Sequence, residues 1–251
     1  MRILAIDTST WVCAVALLRD GVVVAARDEP AESHAATLPL LVETVLADAR
    51  ERLEPGDAIA VSIGPGSFTG LRIGLSLAKG MAFAGSLRVV GVPTLDAWAV
   101  AAPAWEGRLC TVLDARKQEV YAAVYERTQG QVVRCGSPCA VAAAKLAEVL
   151  ASTGDGACTF IGDAVDVYGD VFRGVLGARA GFFPPNEHPP RASAVGQLGA
   201  GRLAEVPAGE PLDALVPTYI RPPEAELKQS ATGPSSGANA PTFVDKVPLL
   251  Y

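Results

Sequence analysis

Apolar positions along this chain come in two rhythms. Residues 3–6 and 12–18 are short, nearly continuous apolar runs, parted by the polar stretch Asp7-Thr8-Ser9-Thr10. Runs of that length and composition predict strands. Asp20-Gly21 suits a tight hairpin, because both central turn positions take positive φ, and residues 22–24 continue as a third strand. The period then changes. Leu38, Leu41, Val42, Val45, Leu46, Ala49 and Leu53 recur at helical spacing and predict a helix over 35–52. Pro39 is tolerated only in a first turn, which puts the helix start near Thr37. Residues 58–63 read as a buried strand, a glycine-rich loop leads into a helix at about 70–84, and 88–92 is a strand. Thr94 is the expected N-cap of a short helix ending at Ala101.

From residue 109 the pattern repeats. Residues 109–113 and 120–125 read as strands, Gln129-Gly130 as a turn into a strand at 131–135, and 139–151 as a helix. A strand at 158–161 and a helix at 164–172 complete a second βββαβα series. Asp7 and Asp114 each close the first strand of a half. Element order therefore predicts an α/β chain of two lobes, 1–104 and 105–228, the second including an extended proline-rich loop at 181–192 and a helix from Ser193, its cap, to Glu205. Residues 229–241 have a Ser/Gly/Ala/Pro linker composition. Residues 242–251 are apolar enough to dock, or else form a free end of the linker-like tail 229–251.

Composition narrows the function classes. Half of the 251 residues are hydrophobic, but every long apolar stretch is broken before the ~18 residues that a membrane helix needs. The N-terminus runs straight into a strand pattern with an early acid and lacks a secretory signal, so a cytoplasmic protein without membrane contact is expected. Lys plus Arg number 21 against 27 Asp plus Glu, a net charge of −6. Without a basic cluster the chain lacks the footprint of an autonomous nucleic-acid binder. Five cysteines, an odd number without Cys-x-x-Cys spacing, read as reduced and buried. His34 and His188 have no ligand neighbour at metal-binding spacing, and no G-x-S-x-G marks a serine nucleophile.

Two βββαβα halves with an Asp at the end of each first strand resemble the actin-like ATPase superfamily (ASKHA, RNase H-like). There the paired carboxylates flank a nucleotide's phosphates and metal, beside glycine-rich turns that admit phosphate closely. The corresponding turns here, Asp7-Thr8-Ser9-Thr10-Trp11 and Asp114-Ala115-Arg116-Lys117, contain no glycine. Asp7, Thr8, Ser9 and Asp114 thus stand as vestigial phosphate-loop residues, with no catalytic residue, metal or cofactor expected. The alternative is a self-sufficient ATP-dependent phosphotransferase or ATPase using Asp7 and Asp114. Gly64-Pro65-Gly66-Ser67-Phe68-Thr69-Gly70 is not a P-loop, since no Lys follows until Lys79, and the third glycine of a dinucleotide fingerprint arrives one residue late. What remains is a turn into a helix that Ser67 or Thr69 can cap, or that can hold an anion near Arg72. The helix itself shows two apolar sides, Leu71, Leu75, Ala78 and Ala82 against Ile73, Leu77, Gly80, Met81 and Ala84. Either one side meets a partner, or the helix is sandwiched within its own domain.

Ile6-Asp7-Thr8-Ser9, the run from Gly64 to Gly74, Ala78-Lys79-Gly80, Leu113-Asp114-Ala115-Arg116 and Pro217-Thr218-Tyr219-Ile220-Arg221 together resemble the TsaB (YeaZ) family, over about residues 1–228. The resemblance implies a non-catalytic, actin-like-fold subunit of the machinery that makes N6-threonylcarbamoyladenosine beside the tRNA anticodon. It implies dimerisation with a catalytic paralogue, TsaD, the joining of a small ATPase, TsaE, and tRNA contact only through the complex. The paralogue's His-x-x-x-His metal pair is missing around His34, which also argues against a peptidase. The implied partner interface lies on the helices at 35–52 and 70–84, through Leu38, Leu41, Val42, Val45, Leu71, Leu75, Ala78, Met81 and Ala82. An unpaired apolar helix face there would also allow a homodimer in isolation.

Overall fold

The computed structural model describes residues 1–183, 191–220, 241, 243 and 245–249. Its elements run β1 (Arg2–Asp7), β2 (Val12–Arg19), β3 (Val22–Pro30), α1 (His34–Ala49), β4 (Ala58–Gly64), α2 (Phe68–Gly85), β5 (Arg88–Pro93) and α3 (Thr94–Ala101). The second series is β6 (Arg108–Arg116), β7 (Glu119–Thr128), β8 (Gln131–Ala142), α4 (Ala143–Ser152), β9 (Cys158–Ile161), α5 (Ala164–Leu176) and β10 (Ala180–Phe182). Two elements follow, α6 (Arg191–Glu205) and β11 (Lys246–Pro248). One compact unit gathers Met1–Ala104 with residues 191–218 and 248–249; the other gathers Trp105–Phe183 with the described residues among 219–247.

The duplication is visible in the sheets. The first is ordered β3-β2-β1-β4-β5 and the second β10-β9-β6-β7-β8-β11. In both, the first three strands are antiparallel neighbours, while β1–β4, β4–β5, β6–β9 and β9–β10 pair in parallel. The same connection scheme thus appears twice, with β11 added beyond β8. Asp20 and Gly21 take the positive φ that the β2–β3 turn requires, and Gln129 and Gly130 do the same between β7 and β8.

In the first unit both faces of the sheet are covered, which is why its strands read as continuous apolar runs instead of alternating. Leu4, Ile6, Val15, Leu17, Ile59 and Val61 form one face, and α1 and α2 lay Leu38, Leu41, Val42, Val45, Leu75, Ala78 and Ala82 onto it. α6 packs on the opposite face, against β1, β2 and β4. That face carries small residues such as Ala5, Ala16 and Ala60, and α6 answers with glycine. A Cβ on Gly199 would lie 2.4 Å from the Ala60 Cβ, so only glycine permits this approach. The second unit has its own core, in which Val112, Val120 and Phe160 meet Leu146 and Leu150 of α4 and Phe172 of α5. Cys13, Cys110, Cys135 and Cys158 are buried and unbridged, and burial pushes the Cys13 thiol up to about 12.

Several boundaries differ from expectation for identifiable reasons. α1 starts at His34, so Pro39 sits in its second turn. β3 and β8 are longer than predicted, and residues 139–142 are strand because β8 continues past an irregularity to pair Ala140 with Tyr121. Thr94 is the first residue of α3 after Pro93, its hydroxyl turned to accept a 3.1 Å hydrogen bond from the Gly64 N–H. Ser193 lies inside α6, two residues past its start, and that helix belongs with the first unit because its apolar face covers the first sheet. β10 and β11 are strands that periodicity missed, each only three residues long. His188 and most of the tail lie outside the described residues. No helix among the described residues is long and apolar enough to cross a membrane.

Candidate functional site

Along β1, Ile3, Ala5 and Asp7 share the face covered by α6. The strand ends there because Asp7 turns its carboxylate into local hydrogen bonds: the Ser9 N–H donates to Oδ1 at 2.9 Å, and the Ser62 hydroxyl of β4 donates to the same oxygen at 2.6 Å. The other carboxylate oxygen faces Arg191, the first residue of α6, whose Nε donates at 3.1 Å. The same guanidinium donates to the Thr10 hydroxyl at 3.2 Å and lies over the Trp98 ring at 4.9 Å. Asp7 is 1% exposed and Arg191 9%. Burial pushes the Asp7 carboxyl up, but the Arg191 charge and the Ser62 and Ser9 hydrogen bonds outweigh it and hold the carboxyl below its ordinary range.

The glycine loop closes over this turn from the other side. The Ser67 N–H donates to the Ser9 carbonyl at 2.7 Å, and the Thr8 hydroxyl donates to the Gly70 carbonyl at 2.8 Å. A Cβ on Gly66 would come 2.3 Å from the Ser9 carbonyl oxygen, and one on Gly70 would come 2.1 Å from that of Thr8. Close backbone packing explains these glycines. At the start of α2, Ser67 is the N-cap and accepts the Gly70 N–H at 3.2 Å. Of the two expected caps, Ser67 is the one that caps α2.

This arrangement does not fit a nucleotide and its divalent cation. A metal at Asp7 would confront a guanidinium already paired with the carboxylate, and the turn beside it is filled by the Gly66–Gly70 backbone. Asp114 differs. It is half-buried, accepts the Arg116 N–H at 2.8 Å and the Tyr168 hydroxyl at 3.3 Å, and pairs with the Arg116 side chain at 3.2 Å. Strand β6 also runs two residues past Asp114, with a register irregularity against β7. Arg116, Lys117 and Gln118 then take positive φ in succession. Among the described residues no group of three or more His, Cys, Asp or Glu side chains could hold a metal ion.

On α1 and α2 the expected interface residues lie the wrong way round. Leu38, Leu41, Val42, Val45, Leu75, Ala78 and Ala82 are buried against the unit's own sheet, Leu71 is buried near Gly64, and Met81 is half-buried against the same core. Their apolar stripe is the inner face, covered by the unit's own sheet, and of these residues Leu38 also lines the groove between the two helices. The outward face of the same helices is also apolar in part. Ala35 and Pro39 of α1 and Phe68, Arg72, Ile73 and Leu77 of α2 line a groove of about 500 Å³. The Arg72 guanidinium lies 3.9 Å from the Phe68 ring centroid. Elsewhere on the same helices Leu40 and Phe83 are 66% and 83% exposed.

Sheet order and element order define a duplicated actin-like ATPase fold. The sequence model of the family described as "TsaD: tRNA N6-adenosine threonylcarbamoyltransferase" matches residues 28–229. The tRNA threonylcarbamoyladenosine biosynthesis protein TsaB of Bacillus subtilis is 31% identical over 229 residues, 91% of this chain and 97% of the relative. TsaB of Escherichia coli is 40% identical over 134 residues, 53% of this chain and 58% of the relative. The solved structure of YeaZ from Pseudomonas aeruginosa superposes with a TM-score of 0.70 at 30% identity, covering 87% of this chain and 99% of that one. The chain belongs to the TsaB/YeaZ family.

Proposed function

We propose that this chain is a non-catalytic subunit of the tRNA threonylcarbamoyladenosine machinery, which docks a catalytic TsaD-type paralogue through the outward face of α1 and α2. The observation carrying this reading is the sealed Asp7 site. Its carboxylate is spent on Arg191, Ser62 and the Ser9 N–H, so the residues that would serve nucleotide chemistry serve the fold instead. The net charge of −6 supports tRNA being held chiefly by other subunits. The groove beside Phe68 supports protein docking, since aromatic and Arg side chains are the usual anchors of an interface centre.

Reconstitution tests it. This chain alone, a TsaD paralogue alone and both together, with and without a TsaE-type ATPase, are assayed for tRNA threonylcarbamoylation and ATP hydrolysis. The expected result is no turnover by this chain alone and activity only with the paralogue. ATP hydrolysis by this chain alone, abolished in Asp7→Ala, would overturn the reading in favour of a self-sufficient phosphotransferase.

A further inference from the structure

Strand β8, whose far edge faces away from β6, is irregular. Against β7 its register passes from Cys135 opposite Val124 to Cys139 opposite Ala122, so Gly136, Ser137 and Pro138 together face Ala123. Such a bulge leaves backbone groups without a partner in the ladder. Pro138 has no N–H to offer, as expected on an edge strand. Gly136, at φ +74°, turns its N–H outward, where it donates to the Asp245 carbonyl. β11 then pairs along the β8 edge as the sixth strand of the sheet. Two side-chain contacts fix this segment: Phe243 packs against the core of the second unit, and the Lys246 ammonium donates to Glu126 of β7 at 2.8 Å. The segment lies beyond residues 28–229, the part matched by the family model. Its connection, residues 229–241, has a linker composition.

We infer that the β8 edge is a peptide-binding site for an extended segment, with the chain's own Phe243 and residues 245–248 as its resident ligand. Recognition follows strand addition: main-chain hydrogen bonds at the bulge supply affinity, while an aromatic residue and, three positions later, a cation supply specificity. Tethering makes the binding intramolecular, at an effective concentration on the order of millimolar. A free peptide of the same sequence therefore competes poorly with the tail while the tail is docked. Release of the tail bares both the Gly136 N–H and the core surface against which Phe243 packs.

The test uses the full-length chain and a fluorescein-labelled synthetic peptide spanning residues 241–251. In the double variant Phe243→Ser, Lys246→Glu the tail should undock. The Gly136 amide should then exchange at least about tenfold faster than in the parent chain, and the labelled peptide should bind the variant at least about tenfold more tightly than it binds the parent. Lys246→Glu combined with Glu126→Lys should restore Gly136 protection relative to Lys246→Glu alone, which separates docking from general damage. Equal exchange at Gly136 in parent and double variant overturns the inference. So does equal or absent peptide binding to both.

Discussion

Asp7 and Arg191 are 184 positions apart, yet each completes the other's environment. A buried ion pair gives little net stability when intact, but removing one partner leaves an uncompensated charge at a penalty of about 3–5 kcal/mol. Arg191→Ala is therefore expected to lower unfolding stability by that amount, and Arg191→Lys to recover only part, because one ammonium cannot replace the fork that reaches both Asp7 and Thr10. The pH dependence has a definite sign. The Asp7 carboxyl titrates below its ordinary value of 3.8 in the folded chain. Its contribution is thus present above that value and disappears as the pH falls through the lower folded value. Denaturant midpoints measured between pH 7 and pH 3 should fall more steeply for the parent chain than for Asp7→Asn, which has no carboxyl to protonate. Parallel curves would show that Asp7 is not the group responsible.

At the level of elements, α1 and α2 separate what periodicity reveals from what it hides. The spacing of Leu38, Leu41, Val42 and Val45 identified a helix and its apolar face correctly, but spacing alone does not say what covers that face. The sheet does, and the covering surface consists of Leu4, Ile6, Val15 and Val61, brought together by strand order. Pro39 misled for a related reason: packing of both flanking turns onto the sheet offsets the hydrogen bond that a second-turn proline removes. Leu75→Glu is accordingly expected to unfold the first unit. Phe68→Asp and Arg72→Glu, on the outward side, should leave the far-UV circular dichroism melt within a few degrees of the parent while weakening co-elution with a TsaD paralogue, by about 2 kcal/mol or more if they are anchors. A folded Phe68→Asp variant that co-elutes unchanged would move the interface elsewhere.

Across the whole molecule, the duplicated order was legible because each half repeats the same switch from strand to helix period, and the family motifs mark the turns where backbone meets backbone. The partner of Asp7 was not legible. Nothing local marks Arg191, and the one available signal was compositional: Ala192, Ala194, Gly196 and Gly199 are small residues suited to lie on an alanine-lined sheet. Separate cores in the two units imply separable local stability. Leu41→Ala should accelerate amide exchange in β1, β2 and β4 more than in β6 and β7, and Phe160→Ala should do the reverse. Uniform acceleration by both would mean that the units open together.

The return of α6 to the first sheet also sets a timetable for the nascent chain. At roughly 5–20 residues per second, Arg191 is made about 10–40 s after Asp7. During that interval the ribosome has delivered every strand of the first sheet, but neither the helix that covers its alanine face nor the cation that neutralises its buried acid. The second unit's strands are made during the same interval, so any holdase or stalled ribosome acting before residue 205 meets an incomplete first unit, whose covering helix arrives after the whole of the second sheet's parallel core.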